Sequence, residues 1–137
     1  MSGIVPASKT IEIFSTFDEL ERIVDEAESF FGSCFTEGEK VYVGVLLASE
    51  AVTNAIEHGN GLDETKKVTV QFKCSETLVE LWVEDQGPGF DRSSVADPLD
   101  EDHLLADGGR GIFLIEKLAD DVKYENEGRK IGILFNR

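Results

Sequence analysis

Cysteine, long apolar runs and positive charge are all scarce in this sequence. Its two cysteines, Cys34 and Cys74, stand alone without metal-ligand spacing, which argues against a disulfide framework or a zinc site and predicts two reduced thiols. No run reaches the roughly 18 apolar residues that a membrane span needs, and the N-terminus lacks the basic and apolar regions of a signal peptide. We therefore expect a cytoplasmic protein that does not associate with membranes.

The shortage of basic residues dominates the charge. Lys and Arg number 13 against 28 Asp and Glu, so the formal net charge is −15. Such a surface argues against direct nucleic-acid binding, favours partners with basic patches and raises the cost of binding a polyanion. With 137 residues, 41% of them hydrophobic, the chain is predicted to form one domain, residues 1–137, around a modest core.

No G-x-x-x-x-G-K-[ST] motif is present, which excludes a P-loop nucleotide site, but a predicted helix over about residues 39–58 carries a polar stripe. Glu50, Asn54 and Glu57 lie four and three residues apart, so on a helix they fall within roughly 60° of arc. Asn54 can offer a neutral oxygen to Mg²⁺, and Glu50 can accept a proton from a hydroxyl or water. The alternative is a partly solvated polar face.

The residues between the members of this stripe are apolar and are predicted to face the core, so that the stripe lines a cleft: Ala51, Val52, Ala55 and Ile56. Gly59 is predicted to end the helix as a left-handed cap. His58, next to the stripe, can either donate to a phosphate or cap the last carbonyl groups of the helix.

A second motif follows a strand predicted over residues 77–84. Asp85 stands at the strand end, and Gly87 and Gly89 flank a proline, a combination that forbids helix and lets the backbone approach a ligand. A carboxylate held there can accept a hydrogen bond from an exocyclic amine such as that of adenine. An ordinary turn is the alternative.

The third motif is a glycine run at the start of a helix predicted over about residues 112–119. It consists of Gly108, Gly109, Arg110 and Gly111. Exposed backbone N–H groups and the positive end of the helix dipole favour a phosphate at such a position. A loop with no phosphate role is the alternative.

The remaining pattern completes a fold prediction. Strands are predicted over about residues 9–14, 67–74, 77–84, 121–126 and 130–135, and a further helix over about residues 17–31. Helices on one face of a mostly antiparallel sheet give a two-layer α+β sandwich.

Taken in order, the three motifs resemble the N box and the two glycine boxes of the GHKL ATPase superfamily, whose ATP-binding domain has the Bergerat fold. The run Glu-Ala-Val-Thr-Asn-Ala at residues 50–55, followed by His58 and Gly59, is most similar to the anti-sigma factor serine/threonine kinases. The similarity extends from about residue 9 to the end. It implies a mostly antiparallel mixed sheet with helices on one face, and an ATP lid over about residues 91–107.

The resemblance also implies a function: a kinase that uses ATP and Mg²⁺, phosphorylates a STAS-type anti-sigma factor antagonist and sequesters a sigma factor. A homodimer is a further state that the resemblance suggests. The implied roles are those of general base for Glu50, Mg²⁺ ligand for Asn54 and adenine-binding carboxylate for Asp85. The nucleotide would further be surrounded by the following residues: Glu57, His58, Gly87, Gly89, Gly108, Gly109, Arg110 and Gly111.

Two departures from the family pattern matter. Asp107 precedes the second glycine box where related kinases can carry a basic residue, which makes Arg110 a candidate for contacting the γ-phosphate instead, or equally for holding the loop or a partner. Gly128 and Arg129 stand where many relatives have Gly-Thr, which leaves the adenine-side hydrogen-bond network incomplete. The alternatives are a non-catalytic, ATP-dependent partner-switching module, and a detached histidine-kinase catalytic domain or simple ATPase.

Overall fold

Five strands form one antiparallel sheet. A computed structural model describes residues 7–88 and 109–137, and the strands are β1 (Ala7–Phe14), β2 (Lys67–Cys74), β3 (Leu78–Glu84), β4 (Asp121–Glu125) and β5 (Lys130–Asn136). Their order in the sheet is β1-β2-β3-β5-β4. Every neighbouring pair in this order is antiparallel, which confirms the predicted mostly antiparallel sheet.

Three helices complete the described structure. They are α1 (Leu20–Cys34), α2 (Gly38–Asn54) and α3 (Gly109–Leu118). Short 3-10 turns precede α1 at Phe17–Glu19 and join β4 to β5 at Asn126–Gly128. Helix α2 packs against both α1 and α3, so the α+β class is confirmed, and α2 is the central helix of its layer.

The core lies between the helices and one face of the sheet. Alternate residues of β2 and β3 are fully buried, among them Val68, Val70, Phe72, Val79 and Leu81, as expected for strands with one face on a core. The ring of Phe31 on α1 lies at the centre of an aromatic cluster. Its centroid is 5.6 to 6.3 Å from four others: Phe30, Phe35, Phe72 and Phe135.

The two cysteines are free, as expected, and both are buried in this core. Burial, with a smaller effect of the neighbouring Cys74 thiol, raises the pKa of Cys34 to about 12, so this thiol stays protonated at neutral pH. In the described part of the chain, no helix combines the length and apolar character that a membrane crossing requires.

The end of the second predicted helix differs from the expectation. Residues Ala55–Gly59 form a turn of π-helix that continues α2. Gly59 is not the left-handed cap that the sequence predicts, because the positive φ angles fall at Gly61 and Leu62, both 62°. The wider turn carries the chain past Gly59 before it reverses, and π-helical turns are frequent at functional sites.

Candidate functional site

The polar stripe of α2 faces the first turn of α3. A Cβ atom added to Gly111 would lie 2.9 Å from Glu50 Oε2 and 2.9 Å from Asn54 Nδ2. These two side chains, one helical turn apart, therefore converge on a single point of the α3 backbone. A larger residue at Gly111 would displace the ends of these two side chains from their present positions. The apolar residues between them are buried, as predicted: Ala51, Val52, Ala55 and Ile56.

Asn54 has unused hydrogen-bonding capacity. Its Nδ2 atom is buried and has no hydrogen-bond partner in the part of the chain that the structure describes. A buried polar atom left without a partner costs about 1–3 kcal/mol, so this side chain is able to bond a ligand or an ordered water. Rotation of the amide by 180° exchanges nitrogen for oxygen, and an amide oxygen is a ligand that Mg²⁺ accepts. The residue therefore fits a magnesium site completed by phosphate oxygens and water.

The end of β3 packs against the end of the α2 helix. A Cβ on Gly59 would overlap the Asp85 carboxylate, and a Cβ on Gly87 would overlap the carbonyl oxygen of Gly59. The backbone N–H of Gly87 donates to Asp85 Oδ1 at 2.8 Å. The glycine that the sequence assigned to a helix cap is thus needed for a close approach instead. Asp85 is held at the junction of two elements.

Burial raises the pKa of Asp85 above its ordinary value, and nearby Glu84 adds slightly to this rise. The hydrogen bond from Gly87 and the positive charges of Arg129 and Lys66 act in the opposite direction. A carboxylate has about four lone-pair sites, so one N–H leaves it able to accept a further hydrogen bond. Such a partly desolvated acceptor suits recognition of an amino group.

Asn60 is a site residue that the sequence did not reveal. Its side chain is buried, donates to Ser15 Oγ at 2.7 Å and to the carbonyl of Lys67 at 3.0 Å, and accepts from the backbone N–H of Gln86 at 2.7 Å. The side chain of Gln86 in turn accepts from the N–H of Lys67 at 2.6 Å. This network fixes the residue that follows Asp85 to the ends of β1 and β2.

Arg129 is the second residue whose role the sequence did not reveal. Its Nε atom donates to the carbonyl of Gly87 at 2.7 Å, and a terminal nitrogen donates to the carbonyl of Pro88 at 3.0 Å. The backbone carbonyl of Arg129 accepts from the N–H of Asp85 at 2.9 Å. The sequence marked this position as a departure, but the contacts to Asp85 and the glycine motif appear only in the structure.

The other predicted site residues lie at the edge of this arrangement or outside it. Glu57 and His58 lie in the π-helical turn, 3.7 Å apart between Oε1 and Nε2, with more than a third of each side chain exposed. Gly109 is the first residue of α3, and Arg110 follows it in the same helix. Outside the described residues lie Gly89, Gly108 and the predicted lid over residues 91–107.

Comparison with known proteins finds one matching family and several curated relatives that share one name. Residues 14–134 match the family described as histidine kinase-like ATPase domain. Curated relatives named serine-protein kinase RsbW include those of Oceanobacillus iheyensis (35% identical, 60% of this chain and 56% of the relative), Listeria monocytogenes (40%, 61% and 57%) and Bacillus subtilis (33%, 72% and 63%). This chain spans little more than half the length of the relatives that it matches.

Proposed function

The chain belongs to the histidine kinase-like ATPase domain family, and we propose that it is an ATP- and Mg²⁺-dependent protein serine/threonine kinase. In this proposal it phosphorylates an anti-sigma factor antagonist and sequesters a sigma factor. The observation that carries the proposal is the convergence of Glu50 and Asn54 on the first turn of α3 at Gly111. A proton acceptor and a metal ligand thereby lie beside a helix N-terminus suited to phosphates.

The proposal assigns the adenine, the phosphates and the metal ion to three different parts of the chain. Asp85 would accept a hydrogen bond from the adenine amino group, and Gly87 lets the backbone lie close to the base. The N–H groups at the start of α3, from Gly109 and Gly111, would face the phosphates, where the helix dipole favours negative charge. Asn54 would hold Mg²⁺ through its amide oxygen. When bound, ATP would supply the phosphoryl group and Mg²⁺ would neutralise the negative charge of the phosphates.

Glu50 would take the proton of the acceptor. As the γ-phosphoryl group transfers from ATP to a serine or threonine oxygen, the hydroxyl proton passes to the Glu50 carboxylate and ADP is left behind. The orientation of Glu50 supports this role, because its Oε2 atom points toward Gly111 together with the Asn54 amide. A positioned base of this kind contributes typically about 10²–10⁴-fold to the rate.

The proposed protein partners follow from the relatives and from charge. The relatives are named serine-protein kinases, which supports a protein acceptor, here a STAS-type antagonist. The net charge of −15 suits binding to basic patches on a sigma factor. A homodimer in the cytoplasm is part of the same proposal.

The test is transfer of label from γ-labelled ATP. The protein, Mg²⁺ and candidate antagonists are incubated together, and the labelled product is exposed to acid and to base. We expect label on the antagonist that survives acid, as phosphoserine and phosphothreonine do and phosphohistidine does not. Acid-labile label would instead indicate histidine kinase chemistry. If the protein binds nucleotide and a sigma factor but transfers no phosphate, it is a partner-switching module and not a kinase.

A further inference from the structure

Arg129 reaches from the turn before β5 to the glycine motif after β3. Its guanidinium donates to the carbonyl oxygens of Gly87 and Pro88, which are neighbours in the chain but lie 42 and 41 residues away from Arg129. The two donors of one planar group thus hold two consecutive peptide units. A guanidinium can do this because its N–H groups form a rigid fork, whereas a lysine ammonium is a single point charge.

The turn that carries Arg129 is itself shaped to hold the side chain. Three residues before it have positive φ angles: Asn126 (52°), Glu127 (57°) and Gly128 (85°). The guanidinium donates to the carbonyl of Asn126 at 3.2 Å and lies 3.4 Å from the Glu127 carboxylate. These contacts orient the fork toward the glycine motif before any ligand arrives, which lowers the cost of ordering that motif on binding.

Arg129 also acts on the charge of Asp85. The charged groups that face this carboxyl are Arg129 and Lys66, which favour its ionised form, and Glu84, which opposes it. The remaining influence is the N–H of Gly87, whose carbonyl Arg129 holds. Removal of the guanidinium therefore takes away both a positive charge and the anchor on the carbonyl side of Gly87, the residue whose N–H donates to Asp85.

We propose that Arg129 is a positioning residue of the nucleotide site: it fixes the Gly87–Pro88 backbone, and with it the glycine whose N–H donates to Asp85, so that Asp85 accepts a hydrogen bond from the amino group of an adenine nucleotide. This inference rests on the proposed function for the identity of the ligand. Arg129 would act through Asp85 and Gly87 and need not touch the nucleotide.

Arg137 provides a matched control at the opposite end of β5. Its guanidinium also donates to two backbone carbonyls, those of Cys34 at 2.7 Å and Ser75 at 3.2 Å. Substitution of Arg137 by alanine removes the same kind of anchor far from the glycine motif. A purely structural role for Arg129 would make the two substitutions equivalent.

The experiment measures Mg·ADP affinity as a function of pH by titration calorimetry for four proteins: the parent, Arg129→Ala, Arg129→Lys and Arg137→Ala. We expect Arg129→Ala to bind roughly tenfold more weakly at neutral pH, the scale of about one lost hydrogen bond. On acidification it should lose affinity at a higher pH than the parent, because Asp85 then gains its proton earlier. Arg129→Lys should keep the pH profile of the parent but only part of its affinity. Arg137→Ala should match the parent in both.

Two results would overturn the inference. One is an Arg129→Ala protein with the affinity and pH profile of the parent. The other is an equal loss of Mg·ADP affinity in Arg129→Ala and Arg137→Ala that parallels the loss of thermal stability in each variant. If the parent protein binds no Mg·ADP, the proposed function is wrong as well. If the parent binds Mg·ADP in a way that depends on Arg129 but transfers no phosphate, the inference holds and only the kinase activity is excluded.

Discussion

At the scale of single residues, Asp85 combines a proposed role in nucleotide binding with a cost to stability. Its pKa is raised in the folded protein mainly by burial. A carboxyl with a raised pKa binds its proton more tightly when folded, so the free energy of unfolding falls as the pH rises from the ordinary value through the raised one. Above the raised pKa, burial of the ionised Asp85 carboxylate therefore lowers the stability of the fold. Residues retained at such a cost are typical of binding and catalytic sites.

The substitution Asp85→Asn separates these two effects. We expect it to weaken Mg·ADP binding by about 1–3 kcal/mol, the scale of a mismatched buried polar partner. The same variant should unfold at a higher temperature than the parent at neutral pH, and this difference should shrink as the pH falls toward 3.8, the ordinary pKa. Calorimetric titration and thermal unfolding across pH measure both. Unchanged affinity would remove the adenine-binding role of Asp85.

At the scale of elements, the site depends on how closely α3 approaches α2. Gly111→Ala should disrupt this contact, because the new Cβ would lie 2.9 Å from both Glu50 Oε2 and Asn54 Nδ2. We expect a loss of at least tenfold in Mg·ATP affinity together with a destabilisation of about 1–3 kcal/mol, the usual cost of overpacking. Gly32→Ala is the matched control: its Cβ meets no atom within 4 Å, and it should stabilise α1 by up to about 1 kcal/mol.

Chemical denaturation and nucleotide titration of these two variants give the comparison. The expected outcome is opposite signs for the change in unfolding free energy, with nucleotide affinity lost only in Gly111→Ala. If Gly111→Ala binds Mg·ATP as tightly as the parent does, the contact between α2 and α3 is not part of the nucleotide site.

The elements were predictable because each follows from local pattern. The alternation of β2 and β3 and the spacing of Glu50 and Asn54 on α2 are properties of a few consecutive residues. Asn60 and Arg129 were not predictable as site residues, because their partners are distant in the chain and are set by strand register. The prediction that Gly59 is a left-handed cap was wrong for the same reason. A glycine at the end of a helix usually indicates a cap, but here the absence of a side chain makes room for Asp85, which is distant in the chain.

At the scale of the whole molecule, the net charge of −15 works against a nucleotide and in favour of a basic protein partner. The site therefore needs local compensation, which the N-terminus of α3 and a bound Mg²⁺ would supply. In the proposed kinase, the nucleotide, the metal and the acceptor hydroxyl would meet where α2 and α3 converge. Glu50 would then serve the transfer step and Asn54 the binding of the metal, so substitutions at these two residues should have different effects although the residues lie one helical turn apart.

Single-turnover phosphoryl transfer, with bound nucleotide quantified separately, tests the kinase most directly. Glu50→Gln should bind Mg·ATP like the parent, because the amide is nearly isosteric, but should transfer phosphate to the antagonist about 10²–10⁴-fold more slowly. Asn54→Ala should lose both binding and transfer, because it removes the metal ligand. A Glu50→Gln protein that transfers phosphate at the parental rate would contradict the assignment of Glu50 as the base, and with it the catalytic site described for this chain.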